Sequence, residues 1–172
     1  MRMHPRIRQA VLVSSALLLA ACANNPESIR AAGVSTLSGD GIAGAVDGSL
    51  IVPDQNNRAI RRVGMDGTVV TLAGLGKAGF ADGKGREAQF NNPTGAVAAA
   101  DGSVYVADRN NHRLRRIAVD GVLTTLAGNA DASFVDGPLA VARFNRPLDV
   151  VERDGRLFAS EENNHQVRIV AK

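Results

Sequence analysis

Residues 101–128, DGSVYVADRNNHRLRRIAVDGVLTTLAG, repeat residues 47–74, DGSLIVPDQNNRAIRRVGMDGTVVTLAG, with 15 of 28 positions identical and no gap. A third copy begins at Asp154 as DGRLFASEENNHQVRIVAK. The segments between copies repeat as well: GFADGKGREAQFNNPTG at 79–95 parallels SFVDGPLAVARFNRPLD at 133–149. Asp47 and Asp101 stand 54 residues apart. A fixed period of that length marks a solenoid or a propeller, in which each unit buries its apolar faces only against its neighbours.

Within one period the pattern predicts four short strands, in the second copy 95–100, 103–108, 113–118 and 122–127. They are rich in Val, Leu, Ile and Thr, which suit a pleated, half-buried surface. Asp101-Gly102 and Asp120-Gly121 are hairpin signals, and a type I′ turn is expected at each. Asn110-Asn111 turns the second strand into the third, since Asn tolerates the left-handed region and bonds its own backbone. Serial four-stranded meanders are propeller blades. A leucine-rich horseshoe would need a shorter period, with helical segments between strands.

Val106-Ala107-Asp108 followed by Asn110-Asn111-His112-Arg113, then Asp-Gly and Thr-Leu-Ala-Gly, resembles the NHL repeat. Asn163-Asn164-His165 carries it again, and the first copy departs with Pro53 and Arg58 at the Ala and His positions. The resemblance covers nearly all of residues 33–172. It implies a β-propeller, commonly six-bladed, that serves as a binding platform, with some related propellers being metal-dependent lactonases or lyases. The fold expected is all-β: a partial propeller of about three four-stranded blades after an N-terminal signal helix. Residues 33–39, GVSTLSG, match GVLTTLAG at 121–128 and are expected to complete the third blade, which lacks a fourth strand. Three blades are half the usual ring, so a homodimer closing six blades is expected, and a truncated relic of a longer propeller is the alternative.

The N-terminus, MRMHPRIRQAVLVSSALLLAAC, has Arg2, Arg6 and Arg8 before an apolar stretch from Ala10 to Ala21. That is the layout of a secretory signal peptide, and the stretch is too short to span a bilayer. Leu19-Ala20-Ala21-Cys22 resembles a bacterial lipobox, which implies cleavage before Cys22 and its acylation. Ala23 in the second mature position implies the outer membrane, facing the periplasm. The expected organisation is a signal peptide at 1–21, a lipidated tether at 22–32 and the repeat module at 33–172. Ten extended tether residues reach at most ~35 Å. Three of the 20 Lys and Arg residues lie in the signal peptide, so the mature chain carries 17 basic against 17 acidic residues. No basic footprint for nucleic acid is left.

In a meander the Asp-Gly turns share one face of the ring. The Asn-Asn turns and the long loops 75–93 and 129–147 share the other. Connections that long are often functional, so the loop face is the expected site for a protein or envelope partner. Its candidate residues are Asn110, Asn111, His112, Asn163, Asn164 and His165, with Asp149 near the channel mouth. Asp54, Asp108 and Glu161 read as turn-stabilising carboxylates, and the Arg pairs 61–62 and 115–116 as structural partners of repeated acids. The inner strands Gly95–Ala99 and Leu148–Val151 carry almost no ionisable side chain besides Asp149. No catalytic residue, metal ligand or cofactor is therefore assigned. A binding lipoprotein is favoured over a lactonase- or lyase-like enzyme using a metal at the channel mouth.

Overall fold

The computed structural model describes residues 43–172. The signal helix, the tether with Cys22 and the complementing strand 33–39 lie outside the described residues. Three antiparallel sheets follow one another as blades of a partial β-propeller. Blade 1 holds β1 (Ala43–Gly44), β2 (Leu50–Asp54), β3 (Ala59–Val63) and β4 (Val69–Ala73). Blade 2 holds β5 (Gly83–Lys84), β6 (Pro93–Ala98), β7 (Val104–Asp108), β8 (Arg113–Ile117) and β9 (Val122–Gly128). Blade 3 holds β10 (Pro147–Arg153), β11 (Arg156–Glu161) and β12 (Gln166–Ala171). Each blade is a meander, except that β5 adds to the outer edge of blade 2 by pairing with β9.

Alternation sets the packing, because successive strand side chains point to opposite faces. Every residue of β7 is buried. Val104 and Val106 join Ile51, Ile60 and Phe90 between blades 1 and 2. Tyr105 and Ala107 join Leu114, Phe144 and Leu157 between blades 2 and 3. The inner strands meet most closely at Gly95, where a Cβ would lie 2.6 Å from the Asp149 Cα. Thr94 Oγ1 donates to the Leu148 carbonyl beside it, at 2.5 Å.

Two turn expectations are corrected. The Asp-Gly turns at 47–48, 66–67, 101–102 and 120–121 are three-residue loops, not type I′ turns. Only their Gly has positive φ, and Gly102 N–H, for example, donates to the Ala99 carbonyl. This is a type I turn closed by a glycine bulge. Its Asp instead accepts from the backbone two residues on, as Asp101 does from Ser103 at 2.9 Å. Only in blade 3, where the repeat is one residue shorter, do both Asp154 and Gly155 take positive φ as a type I′ turn requires. At the Asn-Asn turns, Arg109–Asn111 form a 3₁₀ turn, and the left-handed residue is the one after it: Arg58, His112 and His165 have φ of 49°, 56° and 52°.

The long loops are also more ordered than a structureless reading of 75–93 and 129–147 allows. The first contains β5, a 3₁₀ turn at Gly85–Glu87 and bridges from Ala78 to Phe90 and from Ala81 to Gln89. The second is bridged from Val135 to Arg143. Each folds back on itself and buries a phenylalanine, Phe90 or Phe144, under the blade that follows.

Candidate binding surfaces

The loop face is built on a carboxylate at the end of the second strand of each blade. In blade 2, Asp108 ends β7 fully buried. It accepts from the Asn91 N–H at 2.8 Å, from Asn111 Nδ2 at 2.8 Å and from Arg115 at 2.7 Å. Burial pushes its carboxyl above the usual range, and Asn111, the Asn91 N–H and Arg115 pull the other way. Arg115 continues to the Ala81 carbonyl at 3.0 Å and Asp82 at 2.6 Å, with its guanidinium between the Phe80 and Phe90 rings. One buried arginine thus pins the whole loop 75–93 to its blade. Blade 3 repeats the arrangement with a longer acid. Glu161 accepts from the Asn145 N–H at 2.6 Å, Asn164 at 2.7 Å and Arg168 at 2.8 Å, and Arg168 reaches Asp136 at 2.6 Å between Phe134 and Phe144. In blade 1, Asp54 meets Arg61 at 3.2 Å and Asn57 at 2.9 Å.

The predicted site residues therefore divide. Asn111 and Asn164 are bound into these clamps, each also donating to a loop carbonyl, Gly79 at 2.8 Å and Ser133 at 3.4 Å. Asn110 and Asn163 touch the loop asparagines Asn91 and Asn145 at 3.5 and 3.1 Å. His112 Nδ1 accepts the Arg146 N–H at 3.1 Å, latching blade 2 to the entry of blade 3. Arg109 and Glu162 reinforce that junction with a two-bonded pair at 2.9 and 2.8 Å. His165 holds the position of His112 one blade on, and it is exposed at the open edge. Asp149 is half-buried and accepts its neighbour Val150 N–H at 2.8 Å. Its side chain stands where blade 2 needs the bare backbone of Gly95. Glu152, on the other face of β10, pairs with Lys172 at 2.7 Å. Among the described residues no group of three His, Cys, Asp or Glu side chains is set to hold a metal.

Sequence reasoning missed the loop partners Asp82, Asp136, Phe80 and Phe134. Their signal was the parallel Phe-x-Asp-Gly at 80–83 and 134–137. It also missed the latch at His112.

Burial holds the His112 pKa below the ordinary histidine value, with Arg146 and Arg113 adding repulsion. The neutral ring is the form that can accept the Arg146 N–H. The unfolded chain binds a proton more readily, so stability present above the ordinary histidine range is lost as pH falls through it. The melting temperature should drop between about pH 7.5 and 5.5, and His112→Asn, which tolerates the same backbone, should shrink that drop. An identical pH response in the variant would show that the latch does not titrate.

A second surface is the outward face of blade 3. Leu114 of β8 is 0 % exposed between blades 2 and 3, yet its counterpart Val167 in β12 is 68 % exposed. Ile169, paired to Phe158 across the sheet, is 64 % exposed, and Val151 and Leu148 are exposed beside them. An apolar face that is interior in one copy of the repeat is open in the next.

The NHL repeat family matches residues 90–117, the stretch that runs from Phe90 through Asp108, His112 and Arg115 to Ile117. This is an NHL-repeat β-propeller chain. The bovine NHL repeat-containing protein 2 is 32 % identical over 136 residues, which is 70 % of this chain and 18 % of that protein. A Bacteroides thetaiotaomicron structure of unknown function superposes with a TM-score of 0.72 at 28 % identity, over 83 % of this NHL-repeat chain and 37 % of that one. An auxiliary nutrient binding protein of the same organism superposes at 0.66 with 25 % identity, over 74 % and 36 %. The chain spans less than a fifth of the curated relatives it matches.

Proposed function

We propose that this NHL-repeat chain is a binding and assembly module, anchored through acylated Cys22 to the outer membrane and facing the periplasm. One observation carries the binding reading: the outward face of blade 3 exposes Val151 and Val167 at positions whose counterparts in blade 2, Val97 and Leu114, lie at the junction with blade 3, and Ile169 is exposed on the same face. Exposed contiguous apolar surface of this kind marks association. The exposed rim at Asn163 and His165 borders it, so a partner on that face meets the expected loop-face residues as well. The ionisable groups of the loop face, Asp108, Arg115, Glu161 and Arg168, are consumed by the clamps, which favours recognition over catalysis.

The first occupant proposed is a second copy of the chain, in the ring-closing sense. Protein or envelope partners use the same rim.

The anchor is tested by Cys22→Ala. The variant should incorporate no labelled palmitate and leave the membrane fraction, because the acyl chains contribute ~0.8 kcal/mol per buried CH₂. Undiminished labelling would refute the lipoprotein reading. A variant altered only on blade 3, with Val167 and Ile169 replaced by Asp, should stay in the membrane and lose association.

A further inference from the structure

An apolar cavity lies on the opposite, Asp-Gly face, between blades 1 and 2. It measures about 350 Å³ and is lined by Ile51, Leu72, Ala98, Val104 and Ile117, with Val46 and Val119 at its mouth. The next junction round the ring shows why it is open. Between blades 2 and 3 the corresponding space holds the Tyr105 ring, with Lys172 Nζ 5.2 Å from its centroid and bonded to Glu152. The counterparts at the first junction are Ile51 for Tyr105, Val119 for Lys172 and Ala98 for Glu152. A ring, a long aliphatic chain and a carboxylate have been replaced by three smaller apolar side chains, and the blade 2 turn that lines the cleft is one residue longer than its blade 3 counterpart.

We propose that this cleft binds a small uncharged aromatic molecule, its ring standing between blades 1 and 2 as the Tyr105 ring stands between blades 2 and 3. The volume falls in the range of small-molecule sites. The ligand is uncharged because the charged lining groups, Arg62 and Asp47, are already paired with each other at the rim. Its ring supplies the apolar area that this junction lacks. The site is separate from the anchor and from the blade 3 face, and it stands or falls without them.

The test uses the full chain with labelled Ile, Leu and Val methyl groups, titrated with indole and read by NMR. Saturable shifts are expected at Ile51, Leu72, Val104, Ile117 and Val119, and none at Val151, Val167 or Ile169, which are apolar and exposed elsewhere. The triple change Ile51→Tyr, Ala98→Glu and Val119→Lys rebuilds the filled junction and should abolish the response, with unchanged Leu157 and Val170 signals reporting an intact blade 3. Ala98→Leu fills the same space by a milder route, should the triple variant not fold. The proposal is overturned by absence of saturable shifts at the cleft, by equal shifts on blade 3, or by binding that survives the filling substitution.

Discussion

Arg115→Met is expected to destabilise the chain by ~3–5 kcal/mol, the usual result of removing one partner from a buried ion pair. Asp108 would be left buried without its cation, and it is fully enclosed in the native structure. Asp82 and the Ala81 and Gln89 carbonyls would lose their donor in the same step. A methionine fills the space between Phe80 and Phe90 but supplies no hydrogen. That loss is a large part of the ~5–15 kcal/mol available to a domain of this size. It should show as a lower urea midpoint and as fast amide exchange across residues 78–91. Adding Asp108→Asn removes the uncompensated charge while keeping an acceptor for the Asn91 N–H, so the double variant should be more stable than Arg115→Met alone. A cost below ~1 kcal/mol for Arg115→Met would mean the loop is held by its own bridges rather than by the clamp. Arg168 in blade 3 should behave alike, with a smaller effect because it is less completely buried.

Val167→Asp with Ile169→Asp is expected to weaken self-association more than ~100-fold. Fully burying a side chain of this size is worth ~1.5–3 kcal/mol, and each ~1.4 kcal/mol is a factor of ten in Kd. Both side chains are exposed in the single chain, so the double variant should melt like the wild-type monomer at high dilution. Light scattering on the wild-type chain should give a dimer at micromolar concentration, with a melting temperature that rises with concentration. A monomer at that concentration, with a melting temperature independent of dilution, would refute the second copy as occupant. The blade 3 face would then have to serve a different partner.

The repeat determined most of the architecture before any tertiary contact was known. Strands, turns and blade order follow from local signals recurring at one spacing: the apolar runs, the Asp-Gly pairs and the Asn-Asn turns. Even the shorter turn of blade 3 is written in the chain, as one residue missing between Asp149 and Asp154 relative to Gly95 and Asp101. Turn type was misread because an Asp-Gly pair fits two loop lengths, and the length depends on which residues pair across the hairpin. What only the tertiary structure decided are the contacts between segments far apart in sequence. Asp82 and Arg115 lie 33 residues apart, and Arg146 and His112 34. No local pattern ties such partners together, since their meeting depends on how a loop folds back and how two blades abut. The cleft is of the same kind. Ile51, Ala98 and Val119 are ordinary apolar residues in sequence, and become the walls of a cavity only where two twisted sheets meet without the ring and chain that fill the next junction.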